Sequence, residues 1–269
     1  MSAAIELEGV SLIREGRNIL NNVTLSFPEK ECTVIMGSSG SGTSILLKTA
    51  AGIITPDTGR ALAWGRDIEA MSAQEQFIFH EKAGFVFQDS ALWANMSGYQ
   101  NISMPFQFHR RRMTPMEIKT RMNEVLAEFG FTTNIELRPV SFSTGERKII
   151  SFMRAMILEP DILFVDDPES SVDNAFARRI LEILKKRKDR GLTLIIATND
   201  PMYTLRLADR LVILRAGSVV EHGTFAEVRA SRDPYVMETL SENLSMSVIP
   251  PQRRSTDKQQ TGKEGPDWS

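Results

Sequence analysis

The sequence has one cysteine and no long apolar segment. With Cys32 as the only thiol in 269 residues, an internal disulfide framework and a thiolate metal cluster are both excluded. No apolar run approaches the roughly 20 residues that a transmembrane helix needs. The first ten residues contain neither a basic segment nor an apolar core, so we expect no secretory signal.

An excess of positive charge is also absent. Lys and Arg number 32 and Asp and Glu number 34, which gives a net charge of −2. A nucleic-acid-binding domain usually carries a clear positive excess, so we expect no nucleic-acid partner. The hydrophobic fraction of 42% and the charged fraction of 25% are typical of a folded globular domain with a sizeable core.

Short β-branched runs alternate with segments of helical spacing. This alternation favours an α/β fold with a largely parallel sheet, preceded by an antiparallel β portion around the turn at Glu15 and Gly16. Pro56 and Gly59 indicate a loop. The predicted strands are 5–12, 23–27, 33–36, 84–87, 162–165, 192–198, 211–214 and 217–221, and the predicted helices are 44–51, 116–129, 147–158 and 175–188.

Two segments differ from this core. The spacing of apolar residues becomes helical after about residue 90, and we interpret residues 90–158 as a helical subdomain inserted into a domain of residues 1–245. Residues 246–269 are rich in Pro, Gln, Gly and charged residues, and we predict that this tail is disordered.

A Gly- and Ser-rich segment lies between a predicted buried strand and a predicted helix, which is the context of a phosphate-binding loop. Its glycines let backbone N–H groups surround a phosphate, and the helix N-terminus adds its positive dipole end. Thr43 stands where such loops have a lysine, and Lys48, five positions later, is expected to point away from the phosphate. The alternative is a turn that binds no ligand. The segment comprises Gly37, Ser38, Ser39, Gly40, Ser41, Gly42, Thr43 and Ser44.

Five further segments follow in the order and spacing of one known family. They are Phe85-Val86-Phe87-Gln88 (Q-loop), Phe142-Ser143-Thr144-Gly145-Glu146 (signature), Ile162–Asp166 followed by Asp167 and Pro168 (Walker B), Ser170-Ser171-Val172-Asp173 (D-loop) and Ala197-Thr198-Asn199-Asp200 (switch). Over residues 5–240 the chain resembles the nucleotide-binding subunit of an ATP-binding cassette (ABC) transporter. The resemblance implies a P-loop NTPase core with an inserted helical subdomain, and ATP and Mg²⁺ as ligands of loop 37–44.

The resemblance also implies roles for individual residues. Ser44, Gln88 and Asp166 match positions that hold Mg²⁺, although Gln88 is alternatively a polar loop residue and Asp166 alternatively a cap at a strand end. Asp167 replaces the glutamate that polarises the attacking water, and Gln88 would sense that water. Asn199 replaces the switch histidine and donates hydrogen bonds but carries no positive charge.

The residue expected to stack on adenine and the signature segment also depart from the family pattern. Arg14 lies near the position of the aromatic residue that stacks on adenine; it would stack there or be a solvated loop charge. Ser143 and Gly145 are retained in the signature, Glu146 is a common variant there, and Thr144 replaces a glycine. In the family the signature of one subunit completes the ATP site of the other.

These residues lead to two functional hypotheses. The first is the ATP-binding subunit of a membrane transporter, resembling most the Mla-type, MCE-associated lipid transporters, with hydrolysis impaired by Thr43, Asp167 and Asn199. The second is a non-hydrolytic cassette that completes the ATP site of a competent partner. Both imply permease subunits in the membrane, a second cassette as homo- or heterodimer, and a cytoplasmic location, peripheral at the inner face of the membrane.

Overall fold

The computed structural model describes residues 2–169 and 173–244, so the predicted disordered tail and most of the D-loop lie outside the described residues. None of the helices in those residues is long and apolar enough to span a bilayer. The strands are β1 (Ala3–Arg14), β2 (Arg17–Pro28), β3 (Cys32–Gly37), β4 (Thr58–Ala63), β5 (Arg66–Asp67), β6 (Ala83–Val86), β7 (Ile162–Asp166), β8 (Thr193–Ala197), β9 (Arg210–Arg215) and β10 (Ser218–Thr224).

The helices connect these strands or follow them, and three of them lie between β6 and β7. They are α1 (Thr43–Ala50), α2 (Ala73–Lys82), α3 (Gly98–His109), α4 (Pro115–Phe129), α5 (Thr144–Met156), α6 (Asn174–Asp189), α7 (Pro201–Leu207), α8 (Phe225–Arg229) and α9 (Pro234–Leu244).

The strands form two sheets. The smaller sheet is antiparallel, in the order β2-β1-β4-β5. The larger sheet has the order β10-β9-β3-β8-β7-β6; its strands are parallel except for the β9–β10 pair. The fold class predicted from the sequence is therefore confirmed.

The core fills both faces of the larger sheet. Successive side chains of a strand point to opposite faces, so Val34 and Met36 of β3 pack in the cluster with the helices, whereas Ile35 packs in the cluster that includes the antiparallel sheet. Cys32, at the start of β3, is fully buried, and burial raises the pKa of its thiol well above the ordinary value. Because β3 is buried on both faces, its end at Gly37 is held in a fixed place.

Most predicted elements are present, and six described elements were not predicted: β4, β5, α2, α7, α8 and α9. The predicted helix 116–129 is α4, which ends at Gly130 in the left-handed conformation, as a glycine allows. The loop expected around Pro56 and Gly59 contains the start of β4 instead. Helix α2 was not predicted, because only Phe79 of its ten residues is buried and its apolar periodicity is weak.

Candidate functional site

The phosphate loop runs from the end of β3 to the start of α1. A Cβ added to Gly37 would lie 2.4 Å from the backbone oxygen of Leu214 and 2.5 Å from Oγ of Ser41, so only glycine fits there. Gly42 caps α1 with a φ of 100° and provides no side-chain hydrogen bond. The first N–H groups of α1 therefore lack a capping side chain and are available to an anion.

The loop forms one wall of a cavity of about 440 Å³, which lies within the range of roughly 300–1,000 Å³ for small-ligand sites. Three acidic residues line this cavity, and none of its described lining residues is Lys or Arg. The cavity brings together most of the predicted site residues. Its lining residues are Ile35, Gly37, Ser38, Ser39, Gly40, Thr43, Ser44, Gln88, Asp166, Asp167, Glu169, Ala197, Thr198 and Asn199.

The two principal metal candidates are in direct contact. Oγ of Ser44 donates a 2.7 Å hydrogen bond to Oδ1 of Asp166, whose side chain is only 1% exposed. Oδ2 of Asp166 is buried and makes no hydrogen bond in the part of the chain that is described. A hydroxyl and a carboxylate with a spare buried oxygen are donors that suit Mg²⁺, so these residues fit the predicted metal.

Lys48 is not among the residues that line the cavity, but its side chain reaches a residue that is. Its Nζ lies 3.5 Å from Oδ2 of Asp166. Counted from Thr43, Lys48 is five residues later, a rotation of about 140° beyond one full turn, so these two residues lie on different faces of α1. Counted from Ser44, Lys48 is four residues later, a rotation of about 40° beyond one full turn, so both residues share one face of α1.

Asp167, the residue predicted to polarise the attacking water, is hydrogen-bonded to the Q-loop. Nε2 of Gln88 donates a 3.0 Å hydrogen bond to Oδ2 of Asp167. Asp167 has a φ of 51°, which is uncommon for a residue other than glycine, and its N–H donates to the backbone oxygen of Ala197 at 2.9 Å. The orientation of this carboxylate is therefore fixed from β8 and from the Q-loop.

Asn199 is held to the phosphate loop. Its Oδ1 accepts a 3.2 Å hydrogen bond from the N–H of Gly37, and its Nδ2 donates at 2.9 Å to the carbonyl of the same residue. One N–H of the amide remains available for a ligand, since a primary amide has two. Asn199 therefore positions the first residue of the loop, whatever further contact it makes.

Glu169 is a cavity residue that the sequence analysis missed. Its Oε1 accepts a 2.7 Å hydrogen bond from Oγ1 of Thr198, and its Oε2 is buried without a partner among the described residues. Burial raises its pKa to about 8, and the neighbouring Asp167 adds to that rise. The signal was present in the sequence, since Asp166, Asp167 and Glu169 place three carboxyl groups directly after one strand.

Two cationic side chains of α5 donate hydrogen bonds to backbone oxygens of the Q-loop and of the residues that follow it. Lys148 is only 1% exposed, and its Nζ donates to the backbone oxygens of Phe87, Gln88 and Asp166 at 3.0, 3.2 and 3.1 Å. Burial lowers the pKa of Lys148 to about 8. Arg154 donates in the same way to the backbone oxygens of Ser90 and Ala91, which follow the Q-loop, at 3.0 and 2.8 Å.

The signature residues lie apart from this cavity. Ser143 caps α5, and its Oγ accepts from the N–H of Glu146, whose carboxylate accepts in turn from the N–H and Oγ of Ser143. Ser143 and Thr144 are exposed, and Gly145 is half-buried. This end of α5 is therefore open to a second molecule.

Arg14 also lies outside the lining of the cavity. It is the exposed last residue of β1, where its Nη1 donates to the carbonyl of Ile13 at 2.7 Å and lies 3.4 Å from Oδ2 of Asp57. Its predicted contact with a base stays a prediction.

A glycine-rich loop between a buried parallel strand and a helix, with acidic side chains at the ends of the neighbouring strands, defines a P-loop nucleotide-binding protein. The model of the ABC transporter family matches residues 20–170. The chain belongs to this family, as an ATP-binding cassette subunit.

Relatives and solved structures agree with this assignment. The chain is 30% identical to the intermembrane phospholipid transport system ATP-binding protein MlaF of Escherichia coli K12, covering 88% of each chain. It is 33% identical to the nickel import ATP-binding protein NikO of Rhodobacter capsulatus, covering 86% of this chain and 92% of that protein. A dimeric post-hydrolysis structure of the ATP-binding cassette MJ0796, bound to ADP and Pi, superposes with a TM-score of 0.76 at 27% identity, covering 82% of this chain and 98% of that chain.

Proposed function

We propose that this chain binds Mg²⁺ and ATP in the cavity above the phosphate loop and serves a membrane transporter as its nucleotide-binding subunit. The observation that carries the proposal is the contact of Ser44 with Asp166 beside the uncapped N-terminus of α1. The loop amides would hold the phosphates, and Ser44, Asp166 and Gln88 would hold the metal, which offsets phosphate charge when bound.

We further propose that hydrolysis by this chain is slow. Thr43 leaves the cavity without the usual lysine, Asp167 is one methylene shorter than glutamate, and Asn199 provides no positive charge. A displacement of about 1 Å at a reacting group costs on the order of 100-fold in rate. Binding is less affected than turnover, because the loop amides and the helix end remain available.

The transported compound that we propose is a phospholipid, since MlaF is an ATP-binding protein of phospholipid transport. In this proposal the chain lies on the cytoplasmic face of the membrane and contacts a permease there. A surface groove of about 250 Å³ beside the Q-loop, which includes Met104, Pro105 and Phe108, supports such a contact. Trp93, which follows the Q-loop in the chain, is 56% exposed and could contribute to this contact, whereas Phe106 is buried in the core.

A second candidate function is favoured by the state of the signature. Ser143 and Glu146 form a complete capping box at an exposed helix end. A cassette with a weak site of its own could therefore complete the ATP site of a competent partner. Pairing of cassettes is supported by the dimeric form of MJ0796.

The experiment that tests the proposal measures binding and turnover separately on the purified chain. Calorimetry gives the affinity for Mg-ATP, and release of inorganic phosphate at saturating ATP gives the rate. We expect binding with slow or undetectable turnover. Fast turnover would contradict the impaired hydrolysis, and no binding would contradict the nucleotide site. Acceleration by an added intact cassette would favour the second function.

A further inference from the structure

Lys48 and Ser44 approach the same carboxylate from one face of α1. Ser44 donates to Oδ1 of Asp166 at 2.7 Å, and the ammonium of Lys48 lies 3.5 Å from Oδ2. The carboxylate thus lies between a hydroxyl and a cation that are one helical turn apart.

The burial of this pair strengthens it. The side chain of Asp166 is 1% exposed and that of Lys48 is 27% exposed, so the two charges interact where water screens them poorly. Oδ2 of Asp166 makes no hydrogen bond within residues 2–169 and 173–244, and the Lys48 ammonium is the cation that forms a salt bridge with it there.

The cavity gives this ammonium a particular importance. Its described lining includes Asp166, Asp167 and Glu169 but neither Lys nor Arg, and Thr43 is neutral. A nucleoside triphosphate would bring further negative charge into the same volume. Two ammonium groups contact Asp166 from outside this lining: Lys148 donates to its backbone oxygen, and Lys48 is paired with its carboxylate.

We propose that Lys48 supplies, from the second turn of α1, the positive charge that the phosphate loop lacks at position 43. Lys48 is a positioning residue: it acts through Asp166, whose charge it offsets so that the carboxylate, the metal and the phosphates can be close together. This inference rests on the proposed function, because it requires a nucleotide in the cavity.

A double-mutant cycle tests the inference. Dissociation constants for Mg-ATP are measured by calorimetry for the wild-type chain, Lys48→Gln, Thr43→Lys and the double variant. Loss of the Lys48 charge is expected to weaken binding about tenfold when residue 43 is threonine, and less than threefold when residue 43 is lysine. Lys119→Gln, which removes an exposed charge of α4, is the matched control and leaves the affinity unchanged.

Each other outcome overturns the inference. Equal weakening in both backgrounds would mean that Lys48 acts independently of position 43, and unchanged binding by folded Lys48→Gln would mean that its charge is not used. Lys48→Arg keeps the charge and is expected to bind within threefold of wild type, so clearly weaker binding by folded Lys48→Arg would also overturn the inference. Wild-type binding with an unaffected Lys48→Gln refutes this inference alone, whereas a wild-type chain that binds no Mg-ATP refutes the proposed function as well.

Discussion

The side-chain amide of Gln88 donates a 3.0 Å hydrogen bond to Oδ2 of Asp167. Gln88 lies two residues after β6, and Asp167 lies directly after β7. The bond therefore links two neighbouring parallel strands at their carboxyl ends. The reach of the Asp167 carboxylate is therefore set both by its short side chain and by this bond.

A longer carboxylate at this position should increase turnover. We expect Asp167→Glu to raise the rate of phosphate release at least about tenfold, because it moves the carboxylate outward by one methylene. The rate is measured at saturating Mg-ATP, with Asp189→Glu, an exposed residue at the end of α6, as the control. An unchanged or lower rate in Asp167→Glu would mean that the length of this side chain does not limit hydrolysis.

The stability of the protein should depend on pH through Glu169. Burial raises its pKa from 4.5 to about 8, so the folded chain holds a proton that the unfolded chain releases. The free energy of unfolding therefore falls as the pH rises from about 4.5 to 8. Glu169→Gln has no such proton to lose. Its free energy of unfolding, relative to that of wild type, should therefore rise by on the order of 3 kcal/mol between about pH 4.5 and 8.

Urea denaturation at pH 5, 6, 7 and 8 measures this difference. Glu182→Gln, at an exposed position of α6, should follow the wild-type curve. If Glu169→Gln also runs parallel to wild type, the Glu169 carboxyl does not titrate in this range.

The loop should not tolerate a side chain at Gly37. In Gly37→Ala the Cβ would meet the backbone oxygen of Leu214 at 2.4 Å, and backbone cannot yield as a flexible side chain can. We expect a loss of about 1–3 kcal/mol in the free energy of unfolding and at least about tenfold weaker Mg-ATP binding. Gly223→Ala is the matched control, since its nearest contact is a side-chain oxygen of Glu227. Similar losses in both variants would argue against a specific requirement at Gly37.

The Q-loop should become more mobile without Lys148. In Lys148→Met the backbone oxygens of Phe87, Gln88 and Asp166 lose their shared donor, at a cost of about 1–3 kcal/mol that is reduced because a buried charge is removed too. We expect faster amide hydrogen exchange in residues 87–91. The exposed Lys185→Met serves as the control, and exchange rates equal to wild type in Lys148→Met would contradict the structural role.

The buried parallel strands and the phosphate loop were predictable from sequence because each has a strong local pattern. Strands β3, β7 and β8 are short apolar runs whose residues are all buried. Helix α2 carries a weaker but readable signal, a capping box in which Ser72 and Glu75 exchange hydrogen bonds. Its apolar face is too narrow for periodicity to reveal it.

The parts that sequence did not reveal depend on packing between distant segments. At Gly59 an added Cβ would lie 2.4 Å from the backbone oxygens of Glu8 and Gly9, so this glycine reflects the close pairing of β4 with β1 and not a loop. The approach of Lys48 to Asp166 joins residues that are far apart in the chain. The role of Lys148 beneath the Q-loop likewise needs the tertiary fold.

The burial of Cys32 has a practical consequence. The thiolate is the form that reacts with maleimides and oxidants, and in this protein the only thiol is fully buried with a raised pKa. A cysteine introduced on the surface, for example in place of exposed Thr132, would therefore be the single reactive handle in the folded chain. Fluorescent or spin labels could then report the approach of two subunits without removal of the native cysteine.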